Sequence, residues 1–178
     1  MPSSTDCANE ADALLKTILS AVSQAAQANA SIGIPLSHTG HTSHKVELME
    51  NHLRAQLIQW LRDDPDLASI NSIEEEAPVR ASAPWLGIAA SASTDWGTKE
   101  RRGREVRIAL ELESRADEAD ADGTLVEAIE QRVLNLPPFH TGFELASTRF
   151  LRARSEEREG NLRGALLEFR FRIFAPQT

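Results

Sequence analysis

The sequence predicts an α+β domain, in which two amphipathic helices pack on one face of a sheet of about four mainly antiparallel strands. Two segments place apolar residues at helical spacing, and the best strand segments alternate apolar with polar residues. Most strand segments also follow one another without a helix between them, an order that favours antiparallel hairpins. About 130 residues are enough to bury a core between two such layers.

The first helix is predicted over about residues 50–63, where four apolar side chains form one stripe. The residues of this stripe are Leu53, Leu57, Trp60 and Leu61. Pro65 ends the helix, because proline disfavours helical geometry in the residue before it. The acidic stretch 73–76 that follows is predicted as a short edge strand or a loop.

Four strands and a second helix account for the rest of the domain. The strands are placed at residues 85–93, 105–113, 144–153 and 162–174. The polar stretch 115–123 is predicted to form a solvated loop and the acidic N-terminus of the next helix. The helix comes next, around Leu125 to Val133, and Pro137 and Pro138 end it. A Gly-Asn pair between the last two strands predicts a hairpin.

The chain of 178 residues has room for one domain and an appendage. Residues 49–178 are predicted to form the domain, and residues 1–48 an N-terminal extension. In the extension, a helical pattern over residues 12–30 is followed by a flexible linker rich in His, Ser, Thr and Gly. An alternative that stays open is that Met49 is the true start.

Charge and composition exclude several classes of protein. The formal net charge of −8 argues against specific nucleic-acid recognition, which relies on neutralising phosphates. No apolar run approaches the ~20 residues that cross a membrane, and no secretory signal pattern is present. The single Cys7 can form neither an internal disulfide nor a multi-thiolate zinc site.

Motifs for chemistry are weak. His38, His41 and His44 have a metal-like spacing, but they lie in the predicted linker, and a polar flexible segment is the favoured interpretation. The acidic cluster Asp117, Glu118, Asp120 and Asp122 does not fit a calcium loop. The sequence as a whole contains no nucleotide-binding, zinc-protease or hydrolase motif. No catalytic, cofactor-binding or metal-binding residue is therefore assigned, and the protein is predicted not to be an enzyme.

One segment, residues 94–104, is more informative, because it places a tryptophan and four basic residues in a loop between two strands of an acidic protein. Tryptophan and arginine are often the residues that hold protein interfaces together, and loops on a rigid scaffold commonly bind partners. The alternative for the tryptophan is that it folds back onto the sheet. The candidate interface residues are Trp96, Lys99, Arg101, Arg102 and Arg104.

Residues 50–174 resemble the small tail-completion (tail terminator) proteins of long-tailed phages and gene transfer agents. The resemblance begins at NHLRAQLIQWLRDDPDL and continues through APWLGIAASASTDWGTKERRGREVRIALELESR, which includes a D-W-G-T-K turn. It then runs through LNLPPF and closes with the paired strands FELASTRFLRARSEEREGNLRGALLEFRFRIF. The extension lies outside this pattern.

The resemblance implies a structural role at the head–tail junction of a virion or phage-like particle, assembled in the bacterial cytoplasm. Such proteins form a homo-oligomeric ring, usually a hexamer, on the tail tube protein. The ring stops tube polymerisation and meets a head–tail connector or stopper protein, without a cofactor, catalysis or a membrane. Two alternatives stay open: another neck or tail-tube component, and a small ligand-binding α+β domain.

Overall fold

The computed structural model describes residues 40–76, 81–115 and 119–176. It confirms the α+β class, with two helices, one short 3-10 turn and six strands in this part of the chain. In chain order the elements are α1 (Gly40–Arg62), the 3-10 turn (Pro65–Leu67), β1 (Ser72–Glu74), β2 (Trp85–Asp95), β3 (Gly103–Arg115), α2 (Ala119–Leu134), β4 (Phe139–His140), β5 (Phe143–Arg158) and β6 (Leu162–Phe174).

The six strands form one sheet in the order β1-β2-β3-β6-β5-β4. The predicted sheet of about four mainly antiparallel strands is therefore too small, and the sheet is mixed, because β1 runs parallel to β2. The two strands that the prediction lacked or left doubtful are the edge strands β4 and β1, with two and three residues. Such short strands cannot display the alternation by which longer strands are identified.

Both helices begin earlier than the apolar pattern predicts. The first begins at Gly40 instead of about residue 50, so that His41 and His44 belong to α1, whereas His38, Cys7 and the 12–30 pattern lie outside the described residues. The second begins at Ala119, within the polar stretch 115–123 and six residues before Leu125, its first predicted apolar residue. The early turns of both helices are polar, and polar residues give no periodic signal. The division at residues 48 and 49 stays a prediction.

The core lies between the two helices and one face of the sheet. Alternate residues of β3 and β6, such as Leu110 and Phe169, are fully buried there, and Leu57 of α1 and Ile129 of α2 belong to the same cluster. The intervening residues of these strands are mostly charged and project from the opposite face. The prediction of one helix-covered face is confirmed.

The last hairpin also forms as predicted. Arg158 pairs with Leu162 across the turn, and Gly160 and Asn161 both have positive φ, at 77° and 60°. Glycine and asparagine are the residues that adopt this left-handed region most readily. The turn fixes the register in which β5 lies along β6.

Candidate protein-binding loop

The loop between β2 and β3, residues 96–102, is closed by its own hydrogen bonds. The amide of Trp96 donates to the carbonyl of Gly103 at 3.2 Å, and the amide of Thr98 donates to the carbonyl of Arg101 at 2.7 Å. The hydroxyl of Thr98 accepts from the amides of Glu100 and Arg101. The backbone of the loop therefore has a defined shape, which fixes the positions from which its side chains project.

Trp96 folds back onto the end of β6, as the alternative interpretation of this residue described. Its ring lies 4.8 Å from the ring of Phe174, centroid to centroid, and the guanidinium of Arg172 lies 4.9 Å from the Trp96 centroid. The side chain is half-buried by these contacts. Trp96 thus fixes the loop to the sheet and leaves only part of its surface for a partner.

Arg101 joins the loop to two strands. One of its Nη atoms donates to the carboxylate of Glu144 at 2.7 Å and to the carbonyl of Ala175 at 3.1 Å. Its guanidinium also lies over the ring of Phe174, 4.4 Å from the centroid. Since these contacts use both the charge and the planar face of Arg101, this residue holds the loop in place.

Arg104 points away from the loop, towards α1. Its Nε lies 3.7 Å from Glu50 Oε1, and this carboxylate oxygen also accepts from the hydroxyl of Ser93 at 2.6 Å. Among the described residues, the buried Nε of Arg104 has no hydrogen-bond partner within range. Arg104 is therefore separated from the exposed side of the loop.

Lys99 and Arg102 remain exposed at the tip of the loop. Within residues 40–76, 81–115 and 119–176, neither side chain has a hydrogen bond or an ion pair. The backbone carbonyl of Arg102 accepts from the amide of Ala175 at 2.9 Å, which fixes the position from which its side chain projects. Of the five predicted interface residues, these two present free charge to solvent.

The sequence matches one family model, described as Tail completion protein gp17, over residues 55–173. This match covers well over half of the chain. The chain belongs to this family. It is accordingly a structural protein of a virion or phage-like tail and not an enzyme, in agreement with the resemblance found in the sequence.

The fold of this tail completion family member is also similar to a solved structure. That structure is a chain described as "Virion of native gene transfer agent (GTA) particle", with a TM-score of 0.61 and 21% sequence identity. The alignment covers 70% of this chain and 96% of that one. No curated protein sequence is significantly similar to the chain.

The sheet face opposite the helices presents an ion-pair network in this tail completion protein. Arg158 reaches Glu111 and Glu113 at 2.5 and 3.0 Å, and Arg172 reaches Glu105 at 2.9 Å. Burial of Arg158 disfavours its charged form and by itself would lower its pKa. The hydrogen bond and charge interaction with Glu111, and the hydrogen bonds to Glu113 and Glu156, favour the charged form more strongly. The pKa of Arg158 is therefore raised above its ordinary value. The sequence shows that the polar positions of β3 and β6 are mostly Arg and Glu, but only the strand register shows which of them pair.

The described residues contain no group of three or more His, Cys, Asp or Glu side chains placed to hold a metal ion. None of the helices in the described part of this tail completion protein is long and apolar enough to cross a membrane. The features available for function are therefore surfaces: the loop tip, the charged sheet face and the sheet edges.

Proposed function

We propose that this protein forms a closed ring, with six copies as the expected number, at the end of a tail tube. There it stops polymerisation of the tube and joins the tail to the head. Membership of the tail completion family, matched over residues 55–173, is the observation on which this proposal rests. The similarity of fold to a chain of a gene transfer agent virion supports it.

The partners in this proposal are further copies of the chain, the tail tube protein, and a connector or stopper protein on the head side. A closed ring needs heterologous contacts, in which two different surfaces of each copy meet. Among the described residues, the helices cover one face of the sheet and leave the charged face and the loop tip uncovered. The charged face and the loop tip are therefore the candidate surfaces for contacts within the ring or with the neighbouring proteins.

Deletion of the gene tests the role directly. We expect particles without the protein to show tail tubes of uncontrolled length and heads without tails in negative-stain electron micrographs. Expression of the full chain from a second locus should restore joined tails of normal length. If the deletion strain still produces joined tails of uniform length, the proposed role is wrong.

Within this role, we propose that Lys99 and Arg102 contact a partner protein, while Trp96, Arg101 and Arg104 hold the loop and its surroundings in place. The double variant Lys99→Glu/Arg102→Glu should keep the melting temperature of the wild type, because neither side chain has a partner in the described structure. It should nevertheless reduce the yield of joined particles at least tenfold.

Two further variants control for this test. Arg115→Glu also reverses an exposed charge, but at the opposite end of β3, roughly 40 Å from Gly103 along the strand, and should leave the particle yield unchanged. Arg101→Glu should lower the melting temperature, because it places a carboxylate beside Glu144. Normal particle yield from the double variant would exclude the loop tip from the interface.

A further inference from the structure

Two segments near opposite edges of the sheet carry charge of opposite sign. Residues 145–155, which form most of β5, include three arginines and no acidic residue. Residues 63–76, which run from the end of α1 through the 3-10 turn and β1, include six acidic residues and no basic one. We call these segments the basic edge and the acidic edge.

The basic edge is an open strand. The short β4 pairs with β5 only at Phe143 and Glu144, so the outer side of β5 beyond Glu144 has no paired strand among the described residues. The register along β5 shifts twice, between Leu145 and Ser147 and between Phe150 and Arg152. Bulges and basic residues are common devices that protect an open strand from non-specific pairing.

Protection alone does not explain how the arginines are arranged. Arg149 lies directly opposite Arg170, and Arg170 lies directly opposite Arg107, so three like charges form a row across β5, β6 and β3. Like charges directly opposite one another destabilise a sheet. The carboxylate of Glu105 lies 3.8 Å from both Arg107 and Arg170, but its closest partner is Arg172 at 2.9 Å.

Two arginines of the basic edge are available to a partner. In the described part of the chain, Arg149 and Arg154 are exposed and have neither a hydrogen bond nor an ion pair. Arg152, between them, pairs with Glu168 but keeps 55% of its side chain exposed. The row of like charge would be stabilised by carboxylates supplied from outside the chain.

The acidic edge has a surplus of such carboxylates. Among its acidic residues, Asp64, Glu74 and Glu75 each pair with one arginine. Glu74 and Glu75 nevertheless keep 49% and 46% of their side chains exposed, and Glu76 is exposed as well. Six acidic residues with three paired arginines leave an excess of three negative charges in residues 63–76, carried by Asp63, Asp66 and Glu76.

Within one copy the two edges cannot neutralise each other. They lie on opposite sides of the sheet, with β2, β3 and β6 between β1 and β5. Four strand spacings amount to roughly 19 Å, about twice the distance over which physiological salt screens surface charges. A second copy, in contrast, can bring its acidic edge against the basic edge.

We propose that the basic edge of one copy binds the acidic edge of the next copy, with Arg149, Arg152 and Arg154 facing Glu74, Glu75 and Glu76. This inference rests on the proposed ring and specifies its contact. The two surfaces differ, as head-to-tail contacts in a closed ring require. They belong to strands at opposite edges of the sheet, so that one copy can bind a neighbour at each edge. Complementary charge of this kind speeds association and fixes the register of the contact.

Charge reversal of each edge, separately and together, tests the contact. One variant has Arg149→Glu and Arg154→Glu, a second has Glu75→Arg and Glu76→Arg, and the third combines all four changes in the full chain. Each variant is supplied as the sole copy to the deletion strain, and joined particles are counted. The unfolding midpoint of each purified variant is measured alongside, so that loss of folding is recognised.

Each single-edge variant should reduce the yield of joined particles at least tenfold, because like charges then meet at every contact. The combined variant should restore the yield to within about threefold of the wild type, because its two edges are again complementary. Arg115→Glu, which lies on neither edge, is the control for reversal of an exposed charge and should have no effect.

Wild-type yields from both single-edge variants would overturn the inference. The inference would also be overturned if both single-edge variants fold and reduce the yield of joined particles, and the combined variant folds but gives no higher yield than they do. These outcomes leave the proposed function standing as long as the deletion strain itself makes defective tails. Normal tails in the deletion strain would instead refute the proposed function.

Discussion

Gly164, in the middle of the sheet, provides the space through which Arg158 crosses from β5 to β3. A β-carbon at Gly164 would lie 2.6 Å from the guanidinium carbon of Arg158. We expect Gly164→Ala to displace Arg158 from Glu111 and Glu113 and to lower the free energy of unfolding by about 1–2 kcal/mol. Urea denaturation of the single variant measures this loss.

A double-mutant cycle tests whether Gly164→Ala lowers stability because it fills the space that the Arg158 side chain occupies. In an Arg158→Ala background, Gly164→Ala has no guanidinium to displace, and alanine is the better strand residue, so the loss should fall below about 0.5 kcal/mol. Equal losses in the two backgrounds would mean that the glycine is needed for its backbone and not for the arginine.

Phe139 and Phe143 are a matched pair of phenylalanines four residues apart. Phe143 is 1% exposed, whereas Phe139 is 77% exposed. We expect Phe143→Ala to lower the free energy of unfolding by about 3–5 kcal/mol, because it leaves a cavity in the core, and Phe139→Ala to change it by less than about 0.5 kcal/mol. Denaturation curves of the two variants compare them directly. A loss above about 2 kcal/mol for Phe139→Ala would contradict its position outside the core.

The two helices are joined by a reciprocal contact between Trp60 of α1 and Arg132 of α2. The indole N–H donates to the carbonyl of Arg132 at 2.8 Å, and Arg132 Nε donates to the carbonyl of Trp60 at 2.9 Å. The guanidinium also lies 3.4 Å from the Trp60 ring centroid and pairs with Asp64 at 3.2 Å. One arginine thus holds the end of α1 against α2.

Arg132→Met should keep most of the aliphatic packing and the backbone carbonyl that accepts from Trp60, and it should remove the contacts made by the guanidinium. We expect the free energy of unfolding to fall by about 2 kcal/mol, because the cation–π contact is lost and Asp64 is left without its partner. Arg115→Met, at an exposed position at the end of β3, is the matched control and should change stability by less than about 0.5 kcal/mol. Similar small effects for both variants would mean that the helices are held by apolar packing alone.

The elements that the sequence predicts well are those with long periodic patterns. β3 and β6 each have 13 residues and display their alternation clearly, and the apolar stripe of α1 locates its buried half. β1 and β4 are too short to show any pattern, and β1 takes its parallel direction from pairing with β2, which no local signal encodes. The number and direction of the edge strands could therefore be established only from the structure.

For the candidate loop, too, the sequence predicts the local features but not the tertiary contacts. Its position and composition are visible in the sequence, because a tryptophan and several cations lie between two strand patterns. The separate roles of those cations are not visible. Arg101 pairs with Glu144, which is 43 residues away, and Arg104 faces α1, so both contacts depend on the tertiary arrangement.

At the scale of the whole molecule, the burial of side chains along α1 is the basis for predicting where the folding unit begins. The structure describes the side chains of α1 from Leu48 onwards. Of these, Leu48 is 41% exposed and Met49, at 5% exposure, is the first that is buried. Leu53, Leu57 and Leu61 follow on the same helix and are completely buried. The described core therefore includes α1 from Met49 onwards, although the helix itself begins at Gly40.

We therefore predict that a chain of residues 49–178 folds on its own, with a free energy of unfolding within about 1 kcal/mol of the full chain, because the truncation removes no side chain from the described core. A chain of residues 63–178, which lacks α1, should not fold, because it loses three fully buried leucines together, each worth about 2–5 kcal/mol. Circular dichroism during urea denaturation distinguishes these outcomes. If residues 49–178 fail to fold while the full chain does, the folding unit includes residues before Met49, and the predicted boundary between extension and domain lies too late in the chain.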